Sequence, residues 1–135
     1  MPVRSSQPGC AGARVLIVGD DASVTHEFSR LLRLAGCEVW AAASMHTGLP
    51  LALSHAPDAL VVDLRSPLPV SIGFGTAVRA LPGLARLPIA IVTGDFAHQA
   101  AADPHPPTMT VYYRPLWLSE RVELAKHLLA VPAEP

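Results

Sequence analysis

Five short apolar runs divide the chain: Val15-Leu16-Ile17-Val18, Val39-Trp40-Ala41, Ala59-Leu60-Val61-Val62, Ile89-Ala90-Ile91-Val92 and Val111-Tyr112-Tyr113. Three of them are apolar throughout rather than alternating, the pattern of strands buried on both faces. Amphipathic stretches lie between the runs. Val24, Phe28, Leu31, Leu32 and Ala35 form one helical stripe, which Gly36 ends. Near the C-terminus Ser119 is a candidate N-cap, Val122, Ala125, Leu128 and Leu129 make a buried face, and Pro132 stops the helix. Two helices are expected to be irregular. Gly48 and Pro50 place the start of the second at Thr47, so that the missing proline N–H falls in the first turn. Asp103-Pro104-His105-Pro106-Pro107 leaves the fourth one or two turns, from Phe96 to Ala102.

Strand–helix alternation repeated five times predicts right-handed βαβ units and a parallel sheet covered on both sides. The fold class is therefore α/β, a flavodoxin-like, doubly wound five-stranded sheet of order 2-1-3-4-5 with a short or irregular fourth helix. In that arrangement function gathers at the carboxyl ends of the strands, where strands 1 and 3 diverge. Gly19-Asp20-Asp21, Asp63, Thr93 and Arg114 all fall there. Residues 1–12 read as an N-terminal arm, 13–131 as the domain and 132–135 as a tail.

Composition narrows the choices. The chain has 135 residues, enough for a single core, and half of them are hydrophobic with 16% charged. The formal net charge is −1 and no stretch clusters Lys and Arg, so direct nucleic-acid binding is not expected. No apolar segment is long enough to span a membrane, and the N-terminus has no signal-peptide core. Cys10 and Cys37 form no CxxC pattern and read as free thiols in a reducing cytoplasm. His26, His46, His55, His98, His105 and His127 show no zinc spacing. Val18-Gly19-Asp20-Asp21-Ala22-Ser23 has one glycine where a dinucleotide fingerprint needs three, and its carboxylates would repel pyrophosphate.

Carboxylates at neighbouring strand ends suit a hard divalent cation such as Mg²⁺, which takes one or two protein carboxylates and completes its shell with water and phosphate. Asp20 and Asp63 are placed to share such an ion, with one holding it while the other attacks a phosphoryl group. Thr93 can hydrogen-bond a phosphoryl oxygen and Arg114 can neutralise another. Asp20 or Asp21 can equally cap the first helix.

From Val15 to Leu129 the chain resembles a response-regulator receiver domain of two-component signalling, close to the chemotaxis regulators. The resemblance rests on Val15-Leu16-Ile17-Val18-Gly19-Asp20-Asp21, on Pro57-Asp58-Ala59-Leu60-Val61-Val62-Asp63-Leu64-Arg65-Ser66-Pro67, on Leu87-Pro88-Ile89-Ala90-Ile91-Val92-Thr93-Gly94 and on Tyr113-Arg114-Pro115-Leu116. It implies Asp63 as phosphoacceptor and Asp20 as the direct Mg²⁺ carboxylate. The backbone carbonyl of Arg65 would be a further ligand, Asp21 a contributor through water, and Thr93 the group that follows the phosphoryl. Gly19 stands where the family has a second acid, which weakens the expected Mg²⁺ site. Arg114 stands for Lys, and Val111 for the aromatic that usually reports the switch.

The implied partners are a histidine kinase or phosphotransfer protein upstream and a protein docking on the face of the fourth helix, fifth strand and fifth helix downstream. That face would also serve a homodimer. Such a domain is not an enzyme beyond phosphorylating and dephosphorylating its own Asp63, and it works in the bacterial cytoplasm. Six residues follow Leu129, so an output domain is not expected after it, and the start at Met1 favours a stand-alone regulator. Two readings stay open. One is a phosphorylatable receiver; the other is a pseudo-receiver that signals through fixed contacts without phosphorylation.

Overall fold

The computed structural model describes residues 12–94 and 109–130. Within them lie β1 (Arg14–Gly19), α1 (Ala22–Leu34), β2 (Glu38–Ala42), α2 (Met45–His55), β3 (Ala59–Asp63), α3 (Leu68–Arg79), β4 (Ile89–Thr93), β5 (Met109–Tyr113) and α4 (Leu118–Ala130). The strands form one parallel sheet of order β2-β1-β3-β4-β5, as the alternation of elements predicts. The expected fourth helix, the C-terminal tail and the N-terminal arm up to residue 11 lie outside the described residues, so α4 is the helix anticipated near the C-terminus.

Strand periodicity of two divides the core into halves. Leu16, Val18, Leu60, Val62, Ile89 and Ile91 point to one face, where they meet Ala52, Phe74 and Val78 from α2 and α3. Val15, Ile17, Val61, Ala90 and Val92 point to the other, against Phe28 and Leu32 of α1 and Leu124, Ala125 and Leu128 of α4. β3 and β4 are buried at every position, which is why their sequences carry no alternation. Gly48 lets α2 approach the sheet closely, since a Cβ there would stand 2.7 Å from Val18 Cγ2.

Two helix starts differ from expectation. α2 begins at Met45, because Ser44 is the N-cap and its hydroxyl accepts from the Thr47 N–H at 3.2 Å. Pro50 consequently lies inside the helix rather than in its first turn. α4 begins at Leu118, ahead of Ser119. The Glu120 carboxylate reaches back to accept from the Trp117 N–H at 2.8 Å, the reciprocal half of a capping box.

Candidate functional site

The register of the sheet assembles the site. Gly19 at the end of β1 lies beside Asp63 at the end of β3, and Thr93 at the end of β4 lies beside Tyr113 of β5. Arg114, the next residue, is fixed by its N–H donating to the Thr93 carbonyl at 2.8 Å. Its guanidinium turns back over the sheet and donates from Nη2 to Asp63 Oδ1 at 2.7 Å. The Arg114 side chain also passes Gly94, where a Cβ would sit 3.6 Å from Nη1. Asp63 and Arg114, expected at one mouth, are therefore in direct contact. Thr93 is fully buried beneath them.

The two acids after β1 diverge in role. Asp20 Oδ2 accepts from the backbone N–H of Arg65 at 2.8 Å, stitching the loop after β1 to the loop after β3. Asp21 is the N-cap of α1, its Oδ1 accepting from the Val24 N–H at 3.2 Å. Asp21 Oδ2 is 3.8 Å from Arg65 Nη2, and both side chains are open to solvent. Gly19 brings no carboxylate, and the Thr25 hydroxyl crowds the place where a side chain would begin. A Cβ would stand 2.5 Å from Thr25 Oγ1 and 3.5 Å from the Asp63 carbonyl oxygen.

Arg121 joins the site without having been anticipated. It sits on the buried face of α4, its Nε donates to Asp63 Oδ2 at 2.8 Å, and its Nη1 donates to the Leu116 carbonyl. The Asp63 carboxylate is thus held on both oxygens by two guanidiniums, each a charge-assisted bond. A signal for Arg121 was present in the sequence. It precedes Leu124, Ala125 and Leu128 at spacings of three, four and seven, so it shares their buried stripe. A buried arginine requires a buried anion, and Asp63 is the buried carboxylate of the described residues.

The residues fit a divalent cation poorly. Each Asp63 oxygen already accepts from an arginine, Asp20 holds a backbone N–H, and Asp21 caps a helix. Among the described residues, no group of three or more His, Cys, Asp or Glu side chains comes together as a metal site. The backbone carbonyl of Arg65, the remaining candidate ligand, belongs to the loop that Asp20 already ties down. Among the described residues the mouth instead carries three carboxylates (Asp20, Asp21, Asp63) and three guanidiniums (Arg65, Arg114, Arg121).

On the adjoining β5–α4 face, Tyr112, Leu116, Glu120, Glu123, Leu124 and His127 border a shallow groove of about 350 Å³. Burial pushes the Tyr112 phenol up from its usual value. Trp117, which follows Leu116 in the chain, is 72% exposed.

No family model matches the chain. The transcriptional regulatory protein PrrA of Mycobacterium tuberculosis is 38% identical over 73 residues, which cover 54% of this chain and 31% of PrrA. The chain thus spans about a third of the length of that relative. The chemotaxis protein CheY4 of Vibrio cholerae superposes with a TM-score of 0.70 at 24% identity, over 88% of this chain and all of CheY4. The receiver domain of the sensor histidine kinase PA1611 of Pseudomonas aeruginosa, crystallised with a magnesium ion in its active-site cleft, gives 0.71 at 20% identity over 90% of this chain and all of that domain. At these identities the two structures establish the likeness of fold. No helix among the described residues is long and apolar enough to cross a membrane.

Proposed function

We propose that this chain, a receiver domain of the two-component response-regulator type, takes up a phosphoryl group on Asp63 and passes the change to a protein partner. The observation that carries the reading is a buried carboxylate at the carboxyl end of β3, with the Arg114 guanidinium seated on its Oδ1. A nucleophile and a cation side by side supply the positioning and charge neutralisation that phosphoryl transfer requires. Thr93, which closes the neighbouring strand β4, would hydrogen-bond the incoming group.

The donor would be a histidine kinase or phosphotransfer protein, and the output a protein contact on the β5–α4 face. Turnover is confined to the domain's own side chain. A module acting through fixed contacts alone would use Asp63 only as the structural partner of the buried Arg121, which leaves the second and more exposed cation, Arg114, without a role. The acceptor reading is preferred for that reason. Intact mass measured after incubation with acetyl phosphate and Mg²⁺ tests it. One added phosphoryl group on the wild type and none on Asp63→Asn is the expected result. No gain on the wild type, or an equal gain on both, overturns it.

A further inference from the structure

The second guanidinium on Asp63 is unexplained by acceptor chemistry that relies on a metal ion. Arg121 is 8% exposed, against 25% for Arg114, so the two cations are not equivalent. Arg114 is on the solvent side of the carboxylate and can move with an arriving group. Arg121 is fixed from within α4 by its second bond to the Leu116 carbonyl. Among the described residues three carboxylates face three guanidiniums, so their charges balance before any ion enters. A dication would meet uncompensated positive charge and would have to displace an arginine to reach either Asp63 oxygen.

We propose that Arg121 takes the place of the divalent cation, so that Asp63 accepts a phosphoryl group without metal. This rests on the acceptor reading above and deepens it. Oδ1, the oxygen on the Arg114 side, attacks phosphorus of an acyl phosphate. The Oδ1–P bond forms as the bond from phosphorus to the acyl oxygen breaks, and the carboxylate leaving group departs with the electron pair. Arg114 shifts from Oδ1 to a phosphoryl oxygen. Arg121 stays on Oδ2, orienting the carboxylate and balancing its charge throughout. Arg121 is thus a positioning residue acting through Asp63.

The test measures phosphorylation by acetyl phosphate, followed by intact mass, in Mg²⁺ and in excess chelator. Wild type, Arg121→Lys, Arg121→Met and Asp63→Asn are compared. Wild-type rates within about threefold of each other in the two conditions are expected. Arg121→Met should fall by about tenfold or more in chelator and recover with Mg²⁺, with Arg121→Lys in between. A wild type that gains mass with Mg²⁺ and not in chelator overturns this proposal and leaves the acceptor reading standing. So does an Arg121→Met protein that matches the wild type in chelator. No gain in either condition overturns both. Calorimetric titration of the folded wild type with Mg²⁺ supplies a readout independent of phosphorylation and of the fate of the Met variant. Absence of saturable binding is expected, and saturable binding removed by Asp20→Asn overturns the proposal.

Discussion

Arg121 Nε lies 2.8 Å from Asp63 Oδ2 with both side chains 8% exposed, so the last helix is tied to the end of the central strand by a buried ion pair. Removing Asp63 strands the buried Arg121, whereas removing Arg121 leaves Asp63 paired through Oδ1 with Arg114. Arg121→Ala should destabilise the domain by about 1–3 kcal/mol, since one buried carboxylate oxygen loses its charged donor while the other keeps Arg114. Asp63→Ala leaves two guanidiniums facing one another, the buried one with no anion, and should cost more, about 3–5 kcal/mol. The double variant should fall short of the sum by about 1–3 kcal/mol, the coupling expected of residues in one network. Urea unfolding of the four proteins measures it, and additive losses would show that the two side chains do not stabilise each other. Because the pair is shielded from solvent, the coupling should persist in high salt.

That pair also marks where sequence reading stopped. The sheet order followed from unbroken apolar runs in β1, β3 and β4; Asp63 and Thr93 close β3 and β4, and Arg114 follows β5, so all three fall at one end of the sheet. Those signals are local and periodic. Asp63 and Arg121 are 58 residues apart, and nothing in either neighbourhood names the other. Reading Val122 and Leu129 as the buried face of the last helix turned the stripe away from Arg121, whereas Arg121, Leu124, Ala125 and Leu128 are the buried set. The acids after β1 were legible as a pair but not as separate roles. Which of them capped α1 depended on backbone angles at Asp21 rather than on composition. Pro50 misled for a related reason: a proline argues for a helix's first turn, but the Ser44 cap sets the start earlier.

The separation of Asp20 from Asp21 can be measured. Asp21 accepts from the Val24 N–H as an N-cap, so Asp21→Ala should lower stability by about 1 kcal/mol. Asp21→Ser, which can make the same bond, should restore most of it. Midpoints of urea unfolding at constant slope report the difference. Equal losses for Ala and Ser would mean that the charge of Asp21, through Arg65 or the helix dipole, outweighs the cap.

Gly19 and Thr25 are coupled by space. An aspartate at 19 would bring its Cβ within 2.5 Å of Thr25 Oγ1, so Gly19→Asp alone should destabilise the domain. Adding Thr25→Ala removes the obstructing hydroxyl and should recover the loss. With a further carboxylate and one guanidinium fewer, Gly19→Asp/Thr25→Ala/Arg121→Met should acquire saturable Mg²⁺ binding, because hard cations are held by the number and charge of their oxygen ligands. Calorimetry on the triple variant and on Gly19→Asp/Thr25→Ala decides the point. Equal affinity in the two would show that Arg121 has no part in excluding the ion.

Tyr112 gives the domain a predicted alkaline limit. Burial raises its phenol above the usual 10.0, because the ionised form is poorly solvated beside β5 and α4. In the unfolded chain the same phenol ionises near 10.0 and so releases its proton first. The unfolded state then binds fewer protons than the native state, and stability must fall as pH rises. The loss begins at about pH 10 and continues through the higher native value, while below pH 10 the contribution is fully present. Tyr112→Phe cannot ionise and should flatten this part of the stability profile while leaving neutral-pH stability nearly unchanged. Its tyrosinate absorbance should lack the later-titrating portion seen in the wild type. A profile that declines identically in both proteins would place the alkaline limit elsewhere.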